Sequence, residues 1–459
     1  MTELDVAGQV LDLVKGAAGA QTEAAVTVDR AVLSLTRFAN SYIHQNVAED
    51  TTTVRLQLHS DGRTATGTTT ITTPDGLRGL VERTVQAVEL SPPDKGWPGL
   101  AAPMPLAGAS RVDADTAAAG PAERAERVRS FVDAAGGLET AGYCRTTWLS
   151  AAFANTAGQT AAGECTEAAM DGIARHAGAD GVARHAATAL SDVDGAILGA
   201  RAAAKARAST DPVELPPDRY EVVLEPTAVA DLLHNLAFWG FNGKLHAQRR
   251  SFAALGETQF DSSVTIVDDV LDTDEMGVPF DVEGTAKRRL VLVDAGVTRA
   301  VTHDRRSARE AGAESTGHAI PGSSSFGPIA VNARLLPGAP SAPTEVDGPA
   351  VDSSVAALVG GMRRGVLVSD LWYTRVLDPK TLAVTGLTRN GVWLVENGEI
   401  VRPVRNFRFT QLYPQALGPG AVIRIGGHPA ALPGSWAAER MTAPALHLAS
   451  WHFTGGASG

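Results

Sequence analysis

The chain has 459 residues, 44% of them hydrophobic and 5% aromatic, with a formal charge of −11 and a pI near 5.5. That length predicts two or three domains, and so acidic a chain lacks the cations that grip a nucleic-acid backbone by displacing its counterions. No stretch approaches the roughly 20 apolar residues of a membrane span, and the N-terminus has no basic, cleavable leader pattern, so a soluble cytoplasmic protein is expected.

In chain order, Leu4, Ala7, Val10, Leu11 and Val14 recur at helical spacing and predict an opening helix. AAVTVDRAVLSLTRF and TTTVRLQLHS alternate apolar and polar residues as strands do, and the Asp-Gly pair in SDGRTATGTTTI turns the chain into another. PDGLRGLVERTVQAVEL reads as a helix with Leu77, Leu80, Val81, Val85 and Val88 inward. Residues 1–90 therefore form an α/β segment with a half-exposed antiparallel sheet. The Pro-rich SPPDKGWPGLAAPMPLAG, 91–108, is a loop or linker.

Residues 109–212 are expected to be a helix-rich segment with short strands, completing the N-terminal domain. Its clearest helices are GPAERAERVRSFVDAA and GAILGARAAAKARA. The basic run Arg201–Arg207 suits a helix C-terminus. Cys144 and Cys165 stand in no CxxC or Cys/His spacing, which excludes a zinc ribbon and leaves reduced, buried thiols as the expectation. STDPVELPPDRY, 209–220, marks a domain boundary.

From 213 to 459 strands dominate: YEVVLEP, SSVTIVDDV, RRLVLVDAGVTRAV, VTGLTRNGVWLVENGEIVRPVRNFRFTQ, GAVIRIGG and APALHLASWHF. One helix, TAVADLLHNLAFWGF, interrupts them, and PGAPSAPTEVDGP (337–349) reads as an exposed loop. The fold class is α+β: an N-terminal α/β domain with an antiparallel sheet, then a β-rich C-terminal domain.

Chemistry is sparse. A helical zinc-peptidase site needs two imidazoles on adjacent turns, a third ligand, and a carboxylate to take the proton of the bound water. LLHNLAFWG offers His234, but Asn235 follows it and an amide cannot act as a base. Positions 237 to 239 are Ala, Phe and Trp, and His246 lies beyond Gly240 and Gly243, so one rigid helix cannot bring both histidines to a metal. His234 is then most simply a helix histidine satisfied by a hydrogen bond. His303 reads as a surface-loop residue or a ligand, and His318 sits in a Gly/Ser-rich loop. The strand contexts of His44 and His59 favour structural or peptide-contact roles. GSSSFG is no nucleophile elbow, and no nucleotide-binding glycine motif follows a strand.

Several stretches together resemble the TldD/PmbA family (PmbA is also called TldE), known as modulators of DNA gyrase and as a two-component metallopeptidase. They are TRFANSYIHQNVAED near the N-terminus, then DVEGTAKRRLVLVDAGV, STGHA, and VTGLTRNGVWLVENGEIVRPVRNFRFT with its ENGEI…PVRN core. In the TldD-like subunit the metal helix reads H-E-x-x-x-H. LLHNLAFWG aligns with it without a gap: His234 keeps the first ligand position, Asn235 replaces the catalytic Glu, and Trp239 replaces the second His. The resemblance thus implies a degenerate metallopeptidase helix and a non-catalytic, TldE/PmbA-like subunit. It implies no metal in this chain, zinc in a TldD-like partner, and unfolded or leader peptides as substrate.

Arg37, Asn40, His44 and Gln45 are the candidates for contacting such a peptide. Phe238, Trp239 and Phe241 are candidates for an apolar wall, a partner interface or plain core. Neither direct nucleic-acid contact nor a membrane is expected, so any effect on gyrase would run through proteolysis; a homodimer of the isolated chain stays open. The alternative is an active peptidase with a metal site rebuilt from His234, His246 or His318.

Overall fold

In the computed structural model, which describes residues 2–19, 21–108, 111–272, 275–339, 353–434 and 439–456, the opening helix α1 (Glu3–Ala18) starts in a capping box. Thr2 Oγ1 accepts from the Asp5 amide at 3.2 Å and the Asp5 carboxylate accepts from the Thr2 amide at 2.8 Å. Strand β1 (Glu23–Ala39) then runs into β2 (Tyr42–Ser60) through a two-residue turn. Asn40 and Ser41 have φ of 49° and 63°, the left-handed pair that matches hairpin twist. Strand β3 (Arg63–Thr69) follows the Asp-Gly turn, and helix α2 (Pro74–Leu90) buries Leu77, Leu80, Val81 and Val88.

The segment 91–108 is a strap without helix or regular strand, and it is stitched to both halves of the chain. The Arg306 guanidinium grips Asp94 at 2.9 and 2.7 Å, and this bond, foremost, holds that carboxyl down to about 2. Trp97 donates from Nε1 to Glu23 at 2.7 Å and stacks on His59, ring centres 4.6 Å apart.

Helices α3 (Ala114–Ala118) and α4 (Pro121–Ala134) come next, then strands β4 (Glu139–Asn155), β5 (Thr160–His176) and β6 (Ala179–Ala187), and helix α5 (Gly195–Ala208). The expectation of short strands here is corrected: β4 and β5 are 17 residues each. Their Ala- and Gly-rich sequence has poor strand propensity, yet small residues are what the packing needs. A Cβ at Gly195 or Gly199 of α5 would collide with the Arg127 and Phe131 carbonyl oxygens of α4, and one at Gly181 with the Ala202 carbonyl oxygen. Cys144 and Cys165 are both free and buried, and burial pushes each thiol up to about 12.

The six strands form one antiparallel sheet in the order β3-β2-β1-β4-β5-β6. One face carries the helices. Val6, Val10 and Val14 pack with Val26, Val28 and Leu80 at one end, and Phe38, Phe131, Met170 and Leu198 pack at the other. The opposite face, with Leu33, Leu35 and Arg37, turns toward the C-terminal half.

That half contributes β7 (Arg219–Leu224), helix α6 (Pro226–Asn235), β8 (Ile266–Asp268), β9 (Leu290–Asp294), β10 (Val297–Thr298) and β11 (Ala333–Leu335). There follow β12 (Arg364–Asp378), β13 (Ala383–Glu396), β14 (Glu399–Pro403), β15 (Phe407–Leu412), β16 (Val422–Ile425), β17 (Ala430–Pro433), β18 (Arg440–Ala443) and β19 (Leu446–Gly456). Two sheets result, ordered β10-β9-β8-β11-β18-β17 and β12-β7-β19-β15-β13-β14. Because β12 also pairs with β13, the second sheet closes on itself. Leu232, Leu233 and Leu236 of the site helix share one core cluster with Phe409, Tyr413 and Trp451. The predicted loop at 337–349 lies outside the described residues from 340 onward. Among the described residues no helix is long and apolar enough to cross a membrane.

Candidate functional site

The apolar positions of PTAVADLLHN fix how α6 sits: Ala228, Val229, Leu232 and Leu233 are buried, which leaves Ala230, Asp231 and His234 along a cleft. Its start is anchored by a buried ion pair. Lys205 of α5 bonds Glu225, the residue before Pro226, and Ser369 of β12 joins both, donating to Glu225 at 2.9 Å and accepting from Lys205 at 3.0 Å.

TAVADLLHNLAFWGF does not continue as one regular helix. After Asn235 the segment Leu236–Gly240 widens into a π turn, and the Phe241 amide donates to the Leu236 carbonyl at 2.8 Å, five residues back. In a regular helix each residue advances about 100°, so positions five apart face different ways. An inserted residue brings position 239 back toward position 234, and His234 and Trp239 line the same cleft. Turns of this kind concentrate at functional sites.

The cleft has a volume of about 1080 Å³ and lies between the helix-free face of the N-terminal sheet, α6, and residues 370–376 of β12. On its floor His234 Nδ1 meets Glu439 Oε1 at 2.6 Å, with that carboxylate only 6% exposed. Burial pulls the imidazole pKa down, but the Glu439 hydrogen bond and the charges of Glu439 and Asp231 outweigh it, and the net shift is upward. Asn235 turns its amide to Asp231, Nδ2 donating to the backbone oxygen at 2.9 Å and to Oδ1 at 3.2 Å. Thr374 donates to the other oxygen of Asp231 at 2.8 Å. Burial pushes Asp231 up to about 7 against that bond and the nearby imidazole. Phe238 packs between His234 and Trp239, ring centres 6.1 and 5.0 Å away.

Strand register builds the opposite wall. Gln45, Arg37, Tyr143, Asp171 and Arg184 are direct cross-strand neighbours and make one row across five strands. Arg184 closes the row onto the C-terminal half, bonding Asp171 at 2.8 Å and Asp370 at 3.0 Å, while Asn390 donates to Asp370 at 3.0 Å. Of the four peptide-contact candidates, Arg37 lines the cleft, and Gln45 reaches it only through a 3.5 Å contact with Arg37. Asn40 makes the left-handed turn at the hairpin tip, and His44 lies on the exposed strand beside it; neither lines the cleft.

The remaining histidines lie elsewhere. His318 is buried, with Nε2 3.1 Å from Asp268 and Nδ1 2.9 Å from the Thr316 hydroxyl. His303, expected on a surface loop or as a ligand, is buried and bonds Ser307 at 3.2 Å. Neither these two nor His246 lines the cleft. A zinc ion of the family type does not fit the donors present. His234, whose Nδ1 bond to Glu439 leaves Nε2 open, is the lone imidazole lining the cleft among the described residues, Asn235 is committed to Asp231, and an indole cannot ligate. Among the described residues no group of three or more His, Cys, Asp or Glu is placed to hold a metal.

Sequence reasoning missed Glu439, Asp231, Thr374 and Arg184. Only Asp231 carried a signal, four residues before Asn235 and hence on the same helix face. Replacing Glu439 by Gln is expected to lower the pKa of His234. A group raised in the folded state contributes stability below its unfolded value that is lost as pH rises through the folded value. The variant should therefore lose stability mainly at acid pH, and a histidine NMR titration showing an unmoved His234 would refute this.

The matching family model, the PmbA/TldA metallopeptidase C-terminal domain, spans residues 217–455, just over half of the chain, and makes this a metallopeptidase-related protein. The chain belongs to the PmbA/TldD family. Its fold is that of TldE from Thermococcus kodakarensis, with a TM-score of 0.84 over 97% of this chain and 100% of that one at 17% identity. A candidate modulator of a DNA gyrase from Thermotoga maritima superposes with a TM-score of 0.81 at 18% identity, covering 99% and 100% of the two chains. Another, from Bacteroides thetaiotaomicron, gives 0.80 at 17% over 98% of each. Protein MJ0231 of Methanocaldococcus jannaschii is 36% identical over 104 residues, so the match takes in 22% of this chain and 25% of that protein's length.

Proposed function

We propose that this chain is the non-catalytic, TldE/PmbA-like subunit of a two-component metallopeptidase, holding unfolded or leader peptides for a zinc-bearing, TldD-like partner. The carrying observation is the pairing of positions 234 and 239 on a site helix that lacks the base and the second imidazole of the family motif. The π turn brings positions 234 and 239 to one cleft, where Asn235 presents a committed amide in place of a base and Trp239 an indole in place of the second imidazole. Losing the base alone lowers rates by orders of magnitude.

Peptide holding is supported by the strand beside the helix. Strand β12 pairs with β7 only from Gly365 to Val368, because β7 ends there and the chain turns into α6. Beyond that point, among the described residues, no strand pairs with β12 on its β7 side, and residues 370–376 of both side-chain parities line the cleft. A free strand edge binds an extended peptide through main-chain bonds without reading sequence. Zinc belongs to the partner in this reading, and the pair works in the cytoplasm without membrane or nucleic acid. The feature that an active enzyme with a rebuilt site would use is the His234–Glu439 pair.

Elemental analysis of untagged protein expressed alone is expected to find far less than one zinc per chain, with peptidase activity appearing only when a TldD-like partner is added. One equivalent of zinc, lost together with activity on His234→Ala, would overturn the proposal.

A further inference from the structure

The geometry points to a carboxylate subsite: the peptide is held with an acidic side chain, or its C-terminal carboxylate, against Arg37 and Arg375. This rests on the peptide-holding reading above and specifies what that peptide carries.

The charges of the cleft single out these two side chains. Among the described residues four arginines line the cleft, and two of them are spent on carboxylates. Arg145 bonds Glu167 at 2.9 Å, and Arg184 bonds Asp171 and Asp370. The acidic groups of the cleft are likewise engaged, Asp231 by Thr374 and Asn235, Glu439 by His234. Among the described residues, Arg37 and Arg375 are the cleft cations that meet no carboxylate.

The two come from opposite walls. Arg37 projects from the N-terminal sheet, beside Tyr143 in the transverse row. Arg375 stands on the free β12 edge, where a bound strand would lie. Its guanidinium is preset: it stacks 4.2 Å above the Tyr373 ring and donates from Nη1 to the Thr374 carbonyl at 2.8 Å. The remaining N–H groups keep the planar fork that matches a carboxylate. Leu33 and Leu35 flank the row, so an acidic group there would be partly shielded from water and its attraction to the arginines less screened.

The test is calorimetric titration of the full chain with three Ala/Ser peptides of equal length at low salt. One carries a Glu and an amidated C-terminus, one a free C-terminus and no acidic side chain, and one is neutral and amidated. Expected is about tenfold tighter binding of at least one anionic peptide over the neutral one, as charge-assisted bonds give. That margin should vanish in the Arg37→Gln/Arg375→Gln double variant, whose exposed positions leave folding intact. Which anionic peptide gains tells a side-chain carboxylate from a terminal one. Equal binding of all three, or a margin that survives the double variant, overturns the carboxylate subsite and leaves peptide holding in place. If no peptide binds, both readings fall.

Discussion

Lys205→Met is expected to destabilise the protein by about 3–5 kcal/mol, the usual cost of removing one partner of a buried ion pair. Lys205 and Glu225 are 5% and 6% exposed, so the variant would strand a carboxylate away from water with only the Ser369 hydroxyl beside it. The pair ties a helix of the N-terminal half to the residue that begins the site helix. Its loss should therefore loosen α6 against the sheet as well as lower the unfolding midpoint in urea. Lys205→Met combined with Glu225→Gln should recover most of the loss, since no bare charge remains. Were the single variant to unfold at the wild-type midpoint, the pair would carry none of the anchoring assigned to it.

A second large effect is expected from pH. Burial pushes Asp231 and Glu275 up to about 7 each, the first opposed mainly by its Thr374 bond and the second by the Arg440 and Arg334 charges. A carboxyl raised on folding keeps its proton in the native state while the unfolded chain has lost it. The stability it contributes is full below the unfolded value, near 4, and drains away as pH rises toward 7. His234, raised as well, works in the same direction. Each tenfold gain in proton affinity on folding is worth about 1.4 kcal/mol, so unfolding at pH 8 should need distinctly less urea than at pH 5. Asp94, held low, opposes this only in stronger acid. A midpoint that rises from pH 5 to 8 would contradict the account, and Asp231→Asn should flatten the slope if it holds.

Much of the fold was legible because it rests on local signals. The opening helix follows from a 3.6-residue repeat, and the β2–β3 hairpin from alternation around the Asp61-Gly62 turn pair. What failed was the middle segment, where Ala and Gly imitate helix composition. There the choice belongs to close packing of α4 and α5 on the sheet, which no local window contains. At the site, losses were easier to read than gains. Asn235 and Trp239 are visible as departures from a pattern. Glu439, which gives His234 its partner, is 205 residues away in sequence, and Arg184 reaches the cleft only through strand register. Asn40 has a second physical account: a polar residue at a hairpin tip can be needed for its left-handed backbone alone.

The closing of the C-terminal sheet on itself has a consequence for what can reach the β12 edge. Most strands of that sheet are paired on both sides, while the open stretch of β12 faces the N-terminal sheet across the cleft, with Asp370 and Leu371 buried and Trp372 and Tyr373 48% and 63% exposed. A folded neighbour presents its own edge backed by a layer of side chains and is too thick to enter. A single extended chain is thin enough. In the peptide-holding function proposed above, the edge thus selects a segment according to whether it is unfolded.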